Sequence, residues 1–93
     1  MTVGILKIVL FIPESNSLKA KRMVLHSLKA RLRNSFNIAV TQVADEDKWQ
    51  RATLALVGVE RDKNTMHRTL SEVINFMERF GRAQLLDYEM EMI

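Results

Sequence analysis

The residues in this sequence best suited to chemistry are cations. The stretch SLKAKRMVLHSLKARLRNSF, Ser17 to Phe36, carries six Lys and Arg and no Asp or Glu. At 100° per residue on a helical wheel, Lys19, Arg22, His26, Lys29 and Arg33 fall within about 80° of one another. Such a row beside an apolar face can track a line of phosphates, each contact releasing condensed counterions. An ordinary solvated helix face has the same look, because Lys and Arg are good helix formers. No acid occurs between residues 15 and 44. That favours the polyanion reading, since a helix built for solubility mixes its signs. The candidate nucleic-acid contacts are Lys19, Lys21, Arg22, Lys29 and Arg33. Lys21 differs from the others. It falls mid-way across the apolar side, in the first turn, and is expected to snorkel past the end of the sheet.

A second feature is DEDKWQR, Asp45 to Arg51, which holds the one tryptophan. Trp49, flanked by Gln50 and Arg51, has the chemistry to stack on a base or on a partner's side chain. The structural expectation is that Trp49 folds back over the end of the core. The three acids have neither EF-hand spacing nor a turn glycine, so no metal site is expected. His26 and His67 make no site by themselves. The three glycines are scattered, which argues against a phosphate loop, and no nucleophile elbow or placed acid/base pair occurs. No enzyme activity and no cofactor are expected. The six methionines read as core or interface filler.

The elements that position these residues follow from periodicity. VGILKIVLFI, residues 3–12, is a strand closed by Pro13. Leu6, Ile8, Leu10 and Ile12 point one way; Val3, Ile5, Val9 and Phe11, interrupted by Lys7, point the other. Apolar on both sides, it belongs in the middle of its sheet. Asn16 or Ser17 caps a helix whose Leu18, Leu25, Leu28, Leu32 and Phe36 form one stripe ending near residues 34–37. NIAVTQVA and RATLALVGVE, residues 37–44 and 51–60, read as an antiparallel hairpin. RDKN begins a second helix with Met66, Leu70, Val73, Met77 and Phe80 inward, and Gly81 suits its C-terminal side. In QLLDYEMEMI, Leu86, Tyr88, Met90 and Met92 alternate with Asp87, Glu89 and Glu91, as in a half-buried strand.

The order βαββαβ is the ferredoxin-like α+β pattern. Right-handed crossovers place both helices on one face of a four-stranded antiparallel sheet, in the order 4-1-3-2. The other face then stays open, with Val3, Ile5, Val9 and Phe11 on it and Lys7 opposite Glu89. Apolar residues on an open face favour a covering partner, either a second copy of the chain in a homodimer or another protein.

Ninety-three residues allow one domain, 1–93, with a single core. The absence of cysteine excludes disulfides and thiolate metal sites. No apolar run approaches the roughly 18 residues of a membrane span, and the N-terminus lacks a basic region with a small-residue cleavage site. A cytoplasmic location is the expectation. Residues 1–44 hold seven Lys and Arg against Glu14 alone, whereas residues 45–93 hold seven against ten acids. The molecule is therefore expected to have one basic side.

SLKAKRMVLHSLKARLRNSFNIAV followed by DEDKWQRATLALVGV resembles the YlxP-like family of small bacterial proteins, described as a domain of unknown function. The S-L-K-x-K-R element at Ser17 to Arg22 and the D-x-W-Q-R-A element at Asp47 to Ala52 carry the likeness, which extends over nearly the whole chain. The resemblance implies a ferredoxin-like fold. The family's genes often neighbour those for ribosome maturation and translation initiation, an association that implies no mechanism but, together with the basic row, points to RNA or a ribosomal subunit as the partner. It supplies no catalytic residue and directs attention to Ser17, Leu18, Lys19, Lys21, Arg22, Trp49, Gln50 and Arg51. The resulting expectation is an RNA- or ribosome-associated binding protein acting through the basic row. The rival is a homo-oligomeric interaction module using the open sheet face.

Overall fold

The computed structural model describes residues 1–93. Its elements are β1 (Thr2–Phe11), α1 (Leu18–Ser35), β2 (Ile38–Ala44), β3 (Arg51–Glu60), α2 (Lys63–Phe80) and β4 (Gln84–Met92). The two faces of β1 separate as the alternation requires. Leu6, Ile8 and Leu10, with Ile12 just past the strand, are fully buried, while Val3, Ile5, Val9 and Phe11 are half-buried. The sheet order is β2-β3-β1-β4 with every neighbouring pair antiparallel, so β1 and β3 are central. This is the expected βαββαβ arrangement.

Each helix has an identifiable start. The Ser17 hydroxyl accepts from the Ala20 N–H at 3.0 Å and caps α1. The Asp62 carboxylate accepts from the Thr65 N–H at 2.8 Å and caps α2. That bond holds the Asp62 carboxyl below its ordinary pKa. Gly81 ends α2 at φ +82°, a conformation that disfavours a Cβ.

Val24, Leu25, Leu28 and Leu32 of α1 and Met66, Leu70, Val73, Ile74 and Met77 of α2 join the inner face of the sheet in one core cluster. Gly4 and Gly58 lie opposite each other in the β1–β3 register and form a dent in this face. Met66 occupies the dent. A Cβ on Gly4 would lie 2.7 Å from the Met66 side chain, and one on Gly58 would lie 3.2 Å from its terminal methyl.

The last strand departs from simple alternation. The β1–β4 register shifts between Val9 and Leu10, so Leu10 faces Leu85 while Val9 faces Asp87. Leu85 therefore packs against the core, and Leu86 is left exposed beside the bulge. Met90 and Met92 pack inward as expected. Tyr88, on the same side, is 48% exposed. Lys7 does face Glu89 across the strands. They form no ion pair, since both ion pairs in the structure belong to Asp45.

Candidate nucleic-acid interface

The two flanks of α1 have different neighbours. On one flank, the Arg31 guanidinium lies 5.5 Å from the centroid of the Phe80 ring, on α2. On the other, Arg33 donates an Nη2 hydrogen bond to the Val40 carbonyl at 2.9 Å, on the edge strand β2. Lys19, Arg22, His26 and Lys29 share that second flank by helical spacing, so the basic row follows the β2 edge of the molecule. At 1.5 Å per residue it is about 21 Å long from Lys19 to Arg33. Lys19, Arg22, His26 and Arg33 are exposed, and Lys29 is half-buried. The only ion pairs, Lys48–Asp45 at 3.2 Å and Arg51–Asp45 at 3.3 Å, involve none of them. The row is a set of cations unneutralised within its own chain.

Lys21 does not belong to that row, and its assignment as a nucleic-acid contact is corrected. Its side chain turns toward the β2–β3 loop and is only 2% exposed. The ammonium donates to the carbonyls of Asp45 at 2.6 Å, Arg51 at 3.2 Å and Glu46 at 3.3 Å. Burial lowers the Lys21 pKa from its ordinary value, and the nearby charges of Asp45, Asp47 and Glu46 oppose that shift. Lys21 thus ties the first turn of α1 to both ends of the loop.

Asp45 is the second anchor of the loop. It adopts φ +67°, in the left-handed region that Asp tolerates better than most residues. Its carboxylate accepts from Thr53 Oγ1 at 2.7 Å and pairs with Lys48 and Arg51. The Thr53 hydrogen bond, with help from Lys48 and Arg51, holds the Asp45 carboxyl below its ordinary pKa. Sequence reasoning saw Asp45 only as one of three acids. The signal that marks it is an Asp leaving a strand into a turn, followed by cations three and six residues later.

The loop is also tied to the β1–α1 connection. The Ile12 N–H donates to the Gln50 carbonyl at 2.8 Å, and Gln50 Nε2 donates to the Pro13 carbonyl at 3.2 Å. Of the three proposed partner contacts, Gln50 and Arg51 therefore use their side chains to hold the loop. Trp49 does not fold over the core end, as the structural expectation had it. It is 57% exposed, on a loop whose neighbouring residues Lys48, Gln50 and Arg51 are bonded to Asp45 and to the β1–α1 connection.

The open sheet face is as the alternation of β1 requires. Beside Val3, Ile5, Val9 and Phe11 it exposes Val57 at 40% and Val59 at 51%. A shallow depression of about 140 Å³ between β2 and β3 is lined by Ala39, Thr41, Ala55 and Val57 among others. The largest depression, about 580 Å³, lies at the end of the sheet remote from Trp49, against Met1, Asn37, Val59, Glu60 and Arg61. No helix is long and apolar enough to cross a membrane.

Comparison with known proteins adds a family without an activity. A family model described as "Protein of unknown function (DUF503)" matches residues 3–90. The chain is 28% identical over 82 residues to "Uncharacterized protein YlxP" of Bacillus subtilis (strain 168), covering 88% of this chain and 89% of that one. Among solved structures it is similar to the de novo designed protein Foldit4, with a TM-score of 0.53 and 11% identity, over 100% of this chain and 97% of that one. That likeness concerns the fold alone. None of these descriptions names a reaction or a ligand.

Proposed function

From the premise that this chain belongs to the DUF503 family of proteins of unknown function, we infer that it is a non-enzymatic RNA-binding protein acting in the cytoplasm. Its partner is RNA, free or within a ribosomal subunit. Lys19, Arg22, Lys29 and Arg33 hold the phosphates. The observation that carries this reading is the row along the β2 edge, in which no cation is paired with a carboxylate of its own chain. A row left unpaired attracts a polyanion without first breaking internal ion pairs. The test is RNA binding at low salt by fluorescence anisotropy. The wild type is expected to bind. The triple variant Arg22→Glu, Lys29→Glu, Arg33→Glu is expected to lose binding while keeping its fold by circular dichroism. Equal binding by both proteins would refute the reading.

A second reading concerns the other side of the sheet. The exposure of Val57 and Val59 next to Val3 and Ile5 supports self-association through this face. The two readings are compatible, because the basic row lies on the helix layer. Solution mass decides the second one. A dimer that Val57→Lys converts to monomer supports it, and a wild-type monomer at high concentration contradicts it.

A further inference from the structure

We propose that Trp49 is a stacking platform for an unpaired base of single-stranded RNA, whose phosphates continue onto Lys19 and Arg22. The proposal rests on the RNA-binding reading above and goes further, by naming the strandedness of the ligand and the residue that reads it.

Exposure is the first argument. An indole is among the largest apolar surfaces a chain can bury, and here 57% of the residue is left in water. Rigidity is the second. Trp49 lies between the anchored residues Lys48 and Gln50. The Lys48 N–H donates to the Asp45 carbonyl at 3.2 Å, and its ammonium pairs with the Asp45 carboxylate. Gln50 is bonded to Ile12 and Pro13 on the neighbouring connection. Lys21 secures both ends of the loop. A ring carried on an anchored loop spares the backbone ordering that a mobile loop would have to undergo on binding, so more of the stacking energy appears as affinity.

Position is the third argument. Lys21 bonds the loop from the first turn of α1, so the loop lies at the same end of the helix as Lys19 and Arg22, although Lys21 faces the sheet and those two face the β2 flank. The charge around the ring then selects the ligand. Glu46 and Asp47 are exposed on the same loop and disfavour a phosphate over its tip. The uncharged face of a base is free of that penalty, and the backbone is steered toward the cations of α1. Only an unpaired base offers such a face, because the bases of a duplex are stacked on each other. An apolar peptide side chain would fill the ring's surface but would leave the basic row unused.

The single tryptophan makes the test direct. A single-stranded RNA oligonucleotide, a duplex of equal length and heparin would each be titrated at low salt. Trp49 emission and ligand anisotropy would be read in parallel. Quenching of Trp49 by the single strand, but not by duplex or heparin, is expected. Trp49→Ala should weaken single-strand binding roughly five- to one-hundred-and-fifty-fold, the worth of one base–aromatic stack. It should leave heparin binding unchanged, and Trp49→Phe should recover part of the loss. Single-strand binding with unquenched emission and an unaffected Trp49→Ala variant would overturn the proposal while leaving the RNA reading intact. Absence of RNA binding by the wild type would overturn both.

Discussion

Replacing Lys21 with Met isolates the tie between α1 and the β2–β3 loop. Methionine keeps most of the side-chain volume and removes the charge, so the perturbation is largely electrical. Three donated hydrogen bonds disappear, to Asp45, Glu46 and Arg51. At about 1.5–3 kcal/mol for each bond to a charged group, the gross loss is about 5–9 kcal/mol. The variant also no longer desolvates an ammonium, a relief of several kcal/mol that offsets much of the loss. Three carbonyls are left without that donor, and water entering at the exposed loop re-satisfies part of them. The expected net destabilisation is about 2 kcal/mol, or roughly 8–16 °C in Tm for a domain of this size. Urea unfolding followed by circular dichroism measures the global effect. Trp49 emission anisotropy measures loop mobility in the folded state, and it should fall in the variant. A loss below about 0.5 kcal/mol with unchanged loop mobility would refute the account of Lys21 as the anchor of the loop.

The remaining predictions concern the acid limb, the sheet dent and the helix end. Asp45 has a folded-state pKa below its ordinary 3.8, so the folded state binds fewer protons than the unfolded state in that range. Its contribution is therefore fully present above pH 3.8 and is lost as pH falls toward the lower folded value. Asp45→Asn should flatten the decline of Tm in that acid window, and an unchanged slope would contradict the assignment. Gly4→Ala should cost about 1–3 kcal/mol through collision with Met66. In a Met66→Ala background the same change should cost much less, and additive losses in denaturant melts would show that the dent does not work as described. Gly81→Ala should cost about 1–2 kcal/mol from its left-handed backbone, read from the same melts.

Much of the fold was legible because burial follows period. The two faces of β1 and the inward stripes of both helices are written in residue type, and their order leaves few topologies. The half-buried side of β4 was legible only in its second half. A bulge moves Leu85 inward and Leu86 outward, and nothing in QLLDYEMEMI marks which leucine is displaced. The basic row was legible because helical spacing alone brings its members together. Lys21 was not, because its acceptors are backbone carbonyls 24 to 30 residues away, and a carbonyl carries no side-chain signature. Trp49 depends on the same bonds. No residue type marks whether an indole at a loop end turns inward, and the bonds that Gln50 and Lys21 make to backbone carbonyls carry no sequence signature either.

The central claim is that four cations on one flank of α1, none of them paired with a carboxylate of its own chain, meet phosphates, and the salt dependence of RNA affinity tests it most directly. At about 0.7 counterions released per single-strand contact, Lys19, Arg22, Lys29 and Arg33 predict a slope of log K against log salt of about −3. Arg22→Glu with Lys29→Glu should bring that slope to about −1.4 or shallower. A slope near zero in the wild type, or one left unchanged by the double reversal, would contradict the account.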